Sequence, residues 1–456
     1  MSKSKRRDDS TNMKTRQDGL ELLSCNGLTR AEIRRLAFET GFCQRASGKI
    51  DAPDFLIHLC IQSIQGTVSH NDLAERIHLQ TGVSASRQAY WQRTDQACVR
   101  FFRSVLEQIM ASKCRPGEMK PMNNRGGFKR ILLHDSTVIK LPLRLFKTFS
   151  GVRNAHTQVC NARIQGIYDL LSGSFISFSV DPYSKNDQAA SLEIPVQPGD
   201  LVLRDRGYFN VGAVAKQKQA GADSINRYKH PTALFDPDTG QKINLLELLT
   251  RKGSVDREVL AGAEEKLKLR LIAVPTDEET ANRRRMKAKK ESNGHAPSQE
   301  LLKLMSWTIF LTTIRDGSMT FEEILNLYGL RWRIENIFKT WKGNFNFGKV
   351  HNVSETQLHV LLTARLIMIT IAHERLFVPL SRQLQREKGK VLSLMKFMRY
   401  ISQNTESLTQ RLPGSSLLEG RLYSGISRYC TYEKRTRPNF VIETRNILLA
   451  TGTAYD

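Results

Sequence analysis

The sequence predicts an α/β core interrupted by a mostly β insertion and flanked by helical regions at both ends. Three observations carry this reading. Apolar residues recur at helical spacing from about Gly19 to Met110; short apolar or alternating runs in the order βββαβαβ follow between Lys129 and Tyr228; helical periodicity resumes after Phe321. With 456 residues, a 40% hydrophobic content and a formal charge of +24, the chain has the length for about three domains. It is neither a small disulfide scaffold nor a disordered tail. The basic excess favours a polyanionic partner, nucleic acid ahead of an anionic membrane.

Residues 1–18 read as a solvated basic tail with no apolar stretch behind it. Residues 19–115 form a helical domain, with caps at Thr29 before AEIRR and at Asp51 to Asp54 before FLIHLCIQSI. Inside it, NDLAERIHLQTGVSASRQAYWQR reads as a helix, a turn at Thr81 and Gly82, and a second helix capped by Ser84 or Ser86. This is the outline of a helix-turn-helix, in which Arg87, Gln88 and Arg93 would contact DNA, and it is equally the outline of an ordinary helical hairpin.

A Pro, Gly and Asn-rich linker occupies 116–128. KRILLHDSTVIKLP, NARIQGIYDLLSG and SFISFSV then read as three consecutive strands, NDQAASLEI as a short helix, DLVLRD as a buried strand, NVGAVAKQKQAGA as a helix and DSINRY as a strand. Residues 229–315 form the insertion, with strands in REVLAG, KLRLIAV and SWTIFLTTI and a basic run, RRRMKAKK, that reads as a surface loop. The core resumes over 316–375, and 376–456 is a C-terminal region and a candidate for dimerisation. The longest apolar run, Leu358 to Ile371, is broken by Arg365 and is too short to span a bilayer. Seven scattered cysteines without a CxxC pair suggest a reducing cytoplasm and no zinc site.

The chemistry gathers on FEEILNLYGLRWRIENIFKTWKGNFNFGK. At 100° per residue, Tyr328, Arg331, Glu335 and Lys342 fall within about 60° of one another. Leu330, Ile334, Ile337, Phe338 and Trp341 make a neighbouring apolar stripe that would pack on a sheet. Asp135 follows the apolar run Ile131 to Leu133, and Asp205 ends the strand LVLRD. If the first and fourth strands are neighbours, the two aspartates meet at one edge of the sheet with Glu335 delivered from the helix. Three carboxylates without a His or Cys cluster suit a hard cation, Mg²⁺ or Mn²⁺.

The spacing Y-x2-R-x3-E-x6-K, with HDST around Asp135 and DRGY around Asp205, resembles bacterial insertion-sequence DDE transposases of the YREK-signature, cut-and-paste type. A chance match to that spacing is on the order of one in several hundred. The resemblance covers Lys129 to Lys349. It implies a ribonuclease-H-like catalytic core in which Asp135, Asp205 and Glu335 bind two divalent ions for in-line phosphoryl displacement. It also implies that Tyr328, Arg331 and Lys342 hold phosphates near the cut, and that Trp307, in SWTIF, stacks on a base extruded there. Partners would be transposon ends and target DNA, bound by a homodimer in the synaptic complex, with no membrane, in a bacterial cytoplasm beside the nucleoid. Two other readings stand beside this one: a ribonuclease-H-like endonuclease or inactive end-binding regulator, and a helix-turn-helix protein without catalysis. The helix spacing argues against the last.

Overall fold

The computed structural model describes residues 28–45, 49–66, 68–112, 127–151, 158–184, 192–291, 296–315, 317–405, 420–433 and 440–453. Five helices come first: α1 (Arg30–Glu39), α2 (Ala52–Gln65), α3 (His70–Thr81), α4 (Arg87–Gln92) and α5 (Gln96–Ala111). Thr29 opens α1 with a capping box, its hydroxyl accepting from the Glu32 amide while the Glu32 carboxylate accepts from the Thr29 amide. α3 ends at Gly82 with φ +71°, a left-handed turn that glycine adopts without strain, and Ser86 caps α4 by accepting from the Ala89 amide. The helix, turn and helix expected there are present, the second helix being only six residues long.

A meander of β1 (Arg130–Lys140), β2 (Asn161–Asp169) and β3 (Ser174–Pro182) starts the sheet. β4 (Asp200–Arg204) lies parallel to β1, and after α6 (Val211–Gln219), β5 (Asp223–Arg227) lies parallel to β4. Every residue of β4 is buried, as its central place between two parallel partners demands. The insertion supplies β6 (Leu234–Phe235), α7 (Leu245–Lys252), β7 (Val255–Ala261), β8 (Leu267–Pro275), α8 (Glu278–Glu291), α9 (Gln299–Leu304) and β9 (Trp307–Thr312). Because β9 pairs with both β8 and β5, the insertion extends the core sheet, giving nine strands in the order β3-β2-β1-β4-β5-β9-β8-β7-β6.

The chain then turns helical through α10 (Phe321–Gly329), α11 (Trp332–Asn344), α12 (Glu355–Thr370), a π-helical segment (Ile371–Phe377), α13 (Val378–Lys388), α14 (Leu394–Gln403), α15 (Gly420–Tyr429) and α16 (Phe440–Ala450). Leu330, Ile334, Ile337, Phe338 and Trp341 are all buried, so the expected apolar stripe is the packed face. Gly166 of β2, paired with Asp135, is where this face comes closest: the Phe338 ring stands only 3.4 Å from where a Cβ would be. The missing side chain lets α11 approach on the face that carries Asp135.

Arg365 explains the break in the longest apolar run. Fully buried in α12, it donates to the carbonyls of Ser63, Gly66 and Phe347, two of which belong to the C-terminal end of α2. The last carbonyls of a helix lack intrahelical donors, and here a guanidinium supplies them. The N-terminal helices therefore share one continuous hydrophobic core with α12 and the sheet, while the insertion has a core of its own around Leu249, Val259, Leu271 and Ile309. Among the described helices, none is long and apolar enough to cross a membrane.

One expectation changes, and another falls largely outside the described residues. The basic run expected as a loop is helical, in α8: Asp277 accepts from the Thr280 amide at its start, and Arg284 and Arg285 pin its inner face to the carbonyls of Met305, Trp307 and Leu302. The helix expected in NDQAASLEI lies mostly outside the described residues, and Leu192–Ile194 have no regular structure.

Candidate active site

Three elements bring the acids together. The parallel register pairs His134 with Arg204, so Asp135 and Asp205, one residue further along each strand, emerge side by side at the C-terminal end of β4. Asp135 accepts from the Ser136 amide at 2.8 Å. Asp205 accepts from the Gly207 amide at 3.2 Å and so caps the short turn Arg206–Tyr208. Glu335 sits in the first turn of α11, over the same edge.

Arg331 stands among them. Its Nη1 is 2.9 Å from Glu335 Oε1 and 3.6 Å from Asp135 Oδ2, and its Nη2 is 3.5 Å from Asp205 Oδ1. One buried guanidinium thus touches a carboxylate from each of three elements. Burial would lower its pKa, but Tyr328 and the three carboxylates outweigh that and the net shift is upward. Asp135 shows the strain of the arrangement: burial, with the charges of Glu335 and Asp205, raises its pKa to about 7 against the pull of the Ser136 amide and Arg331.

Tyr328 is buried, with its pKa raised by burial to about 12, and its hydroxyl donates to the Arg204 carbonyl at 3.3 Å. It ties the end of α10 to the end of β4. Between α10 and α11 the backbone tightens, the amides of Leu330 and Arg331 donating to carbonyls three residues back, so the expected single helix carries a tight turn at its signature arginine. Lys342, exposed on α11, donates to the Val138 carbonyl of β1 at 2.7 Å, away from the carboxylates, and burial of its stem lowers its pKa.

Trp307 is half-buried against the insertion core and its indole N–H donates to the Gly253 carbonyl at 2.7 Å. Sequence reasoning missed Trp332, which is 53% exposed with the Arg331 guanidinium 4.7 Å from its ring. Its signal was there: two residues from Leu330, it lies about 200° around the helix from the apolar stripe. In the N-terminal helices, Arg87 and Gln88 are exposed on α4, whereas Arg93 donates to the Phe42 carbonyl at 2.7 Å and stacks on the Phe42 ring. Arg93 holds α4 to the loop after α1.

The donor set is three carboxylates without sulfur or imidazole, matched to a hard divalent ion. Among the described residues no three His, Cys, Asp or Glu side chains stand close enough to form a ligand cluster, the acids here being spaced around the guanidinium. The residues fit a divalent cation in the chemistry of their donors.

A sheet edge that gathers acids from two adjacent strands and a helix suits a phosphoryl-transfer enzyme. The family model described as the transposase DDE domain matches residues 126–371, which contain all three acids. The chain belongs to the DDE transposase family. It is 27% identical over 466 residues to the transposase for insertion sequence element IS231B of Bacillus thuringiensis subsp. berliner, covering 96% of this chain and 97% of that protein. The IS231F transposase of Bacillus thuringiensis subsp. israelensis is 28% identical, covering 90% and 92%, and the IS1151 transposase of Clostridium perfringens 24% identical, covering 91% and 93%. Among solved structures, the piggyBac transposase in a synaptic complex with hairpin DNA aligns with a TM-score of 0.44 at 12% identity, covering 92% of this chain and 86% of that one. The function is DNA transposition for an insertion sequence: the enzyme binds DNA and carries out divalent-metal-dependent cleavage and strand transfer.

Proposed function

We propose that Asp135, Asp205 and Glu335 are the catalytic acids of a YREK-signature, cut-and-paste transposase built on a ribonuclease-H-like core. The observation that carries the reading is their convergence, from β1, the end of β4 and α11, on the single guanidinium of Arg331. The three carboxylates would hold two Mg²⁺ or Mn²⁺ ions, which when bound activate the attacking oxygen and stabilise the leaving one. The protein does the positioning. β1 and β4 fix two acids by strand register, Tyr328 anchors α10 to the β4 carbonyl edge, and the apolar stripe of α11 fixes the third.

Arg331 would hold the phosphate at the cut end by its planar fork, the carboxylates being taken up by the ions when these are bound, and Lys342 would add a point charge further along α11. Tyr328, buried and bonded to Arg204, supports the site from below. For a base extruded beside the cut, Trp307 and Trp332 are the available aromatic faces; Trp332 is the more open, and Trp307 has spent its N–H on Gly253. Residues 19–115 would read the element ends through the exposed Arg87 and Gln88 of α4, residues 229–315 form the insertion, and 376–456 contribute to a synaptic homodimer.

The test is Asp135→Ala, Asp205→Ala and Glu335→Ala in the full chain, assayed by gel shift and cleavage on one linear DNA carrying an element end. Each is expected to abolish cleavage and leave binding nearly intact, since affinity comes mostly from cations. Full cleavage by any one of them removes that acid from the site.

A further inference from the structure

The register that aligns the acids also aligns a cation. Leu203 of β4 pairs with Ile225 of β5, so two residues further along Asp205 stands beside Arg227, on the same face as Asp135. Arg227 lies mostly inside the protein with its guanidinium 5.3 Å from the Phe310 ring, and it has no ion-pair partner among the described residues. Two more arginines crowd it. Arg206 is exposed in the turn capped by Asp205, and Arg284 comes from α8, its guanidinium held by the carbonyls of Met305 and Trp307 and the Thr308 hydroxyl. Those acceptors are neutral, so they fix the guanidinium without cancelling its charge.

From Arg284 the charge continues outward along α8. The helix carries six cations against three acids, and Arg283, Lys287 and Lys290 fall at i, i+4 and i+7 on its exposed side, while Arg284 and Arg285 face inward. The helix dipole accounts for acids in the first turn and lysines in the last. It does not account for three arginines within electrostatic reach of one another near Asp205. Asp205 and Asp277 offset part of this charge, and the surplus that remains costs stability unless a polyanion supplies the rest. Burial first, then Arg284 and Arg206, lower the pKa of Arg227 to about 10 against the opposing pull of Tyr328 and Asp205.

We propose that Arg206, Arg227 and Arg284, continued by Arg283, Lys287 and Lys290, form a phosphodiester-binding track that leads DNA from the catalytic acids onto the insertion. This rests on the transposase reading of the three acids and adds a second run of backbone contacts, on the β5 and β9 side of the acids. Two DNA segments have the right chemistry, the element's own end and the DNA flanking it, and the experiment separates them.

Full-length protein and the variant R283A/K287A/K290A are titrated, without divalent metal, on a duplex ending at the element's terminal repeat and on one continuing into flanking DNA, over a range of salt. The three side chains are exposed, so the variant should unfold at the wild-type temperature. Each phosphate contact contributes about 0.9 to the slope of log affinity against log salt, so the slope should fall by about 2 to 3, with about a tenfold or greater loss of affinity at low salt. A loss confined to the flanked duplex assigns the track to flanking DNA; an equal loss on both assigns it to the element end. R206A should lower the slope further by about 1. Unchanged slopes on both duplexes overturn the track. The parent reading fails on a different readout, end cleavage by the wild type, so the two failures are distinguishable.

Discussion

Asp135→Asn should make the metal-free protein more stable at neutral and alkaline pH while abolishing cleavage. In the folded protein the Asp135 carboxyl titrates at about 7, against an ordinary 3.8, because burial and two neighbouring carboxylates oppose its charge. A carboxyl with a raised pKa binds more protons folded than unfolded between those values, so stability falls as pH rises through that window and the loss is complete above 7. At about 1.4 kcal/mol per unit the full displacement would cost about 4 kcal/mol. The neutral amide escapes that cost, in which the attraction of Arg331 for the carboxylate is already counted. The gain is therefore about 4 kcal/mol. With an unfolding entropy of about 2.1 cal/mol/K per residue, a chain this long shifts its Tm by about 1 °C per kcal/mol. Scanning calorimetry in a chelating buffer should therefore show no difference between the proteins near pH 4 and a variant about 4 °C more stable at pH 8. A pH-independent difference, or a less stable variant at pH 8, refutes the account of Asp135 as a carboxylate held against its own electrostatics.

Arg331→Ala and Lys342→Ala should weaken DNA-end complexes and cleavage together; normal assembly in both, seen by gel shift, removes the phosphate-holding role. Trp332→Ala should leave folding and first-strand nicking unchanged and slow the second step, whereas Trp307→Ala, which empties part of the insertion core and strands the Gly253 carbonyl, should cost about 3 kcal/mol and lower every activity together. A product time course beside thermal unfolding tells the two apart, and an unaltered second step in Trp332→Ala ends its stacking role. Arg365→Met should destabilise by about 3 to 5 kcal/mol, since three carbonyls lose their donor in the interior, and should open the α2 end to proteolysis before the sheet; wild-type protection there contradicts the capping role.

The acids were legible because their evidence is local. An aspartate directly after an apolar strand, and a glutamate beside an apolar stripe at helical spacing, can be read from a dozen residues. The neighbouring of β1 and β4 needed only the usual parallel crossover, and the register then aligned Asp135 with Asp205 without further information. What stayed hidden depends on contacts distant in sequence. The indole N–H of Trp307 is bonded to a carbonyl 54 residues away, and Arg365 to carbonyls about 300 residues away. The helix in the basic run could not be read from periodicity because its anchoring face is made by arginines that donate to carbonyls, so no apolar stripe marks it. The anchoring of Arg93 to the Phe42 carbonyl, 51 residues away, was hidden for the same reason.

The shared core bears on how recognition and cutting are connected. Arg365 holds the end of α2, and Asn346, just beyond α11, donates to the Ile64 carbonyl of the same helix at 2.8 Å. The helix that carries Glu335 is thereby joined, through one short loop, to the N-terminal helices. Thr94 lies within 3.2 Å of the His70 ring, and Gln96 at the start of α5 donates to Thr356 at the start of α12. These contacts tie α3, α4 and α5 to the same frame. A DNA end read by Arg87 and Gln88 would therefore be held at a distance from the acids set by packed side chains rather than by a loose tether. Such a frame can measure the spacing between recognised sequence and cut site, and it predicts that lengthening the DNA between them by one base pair shifts or abolishes cleavage while binding persists.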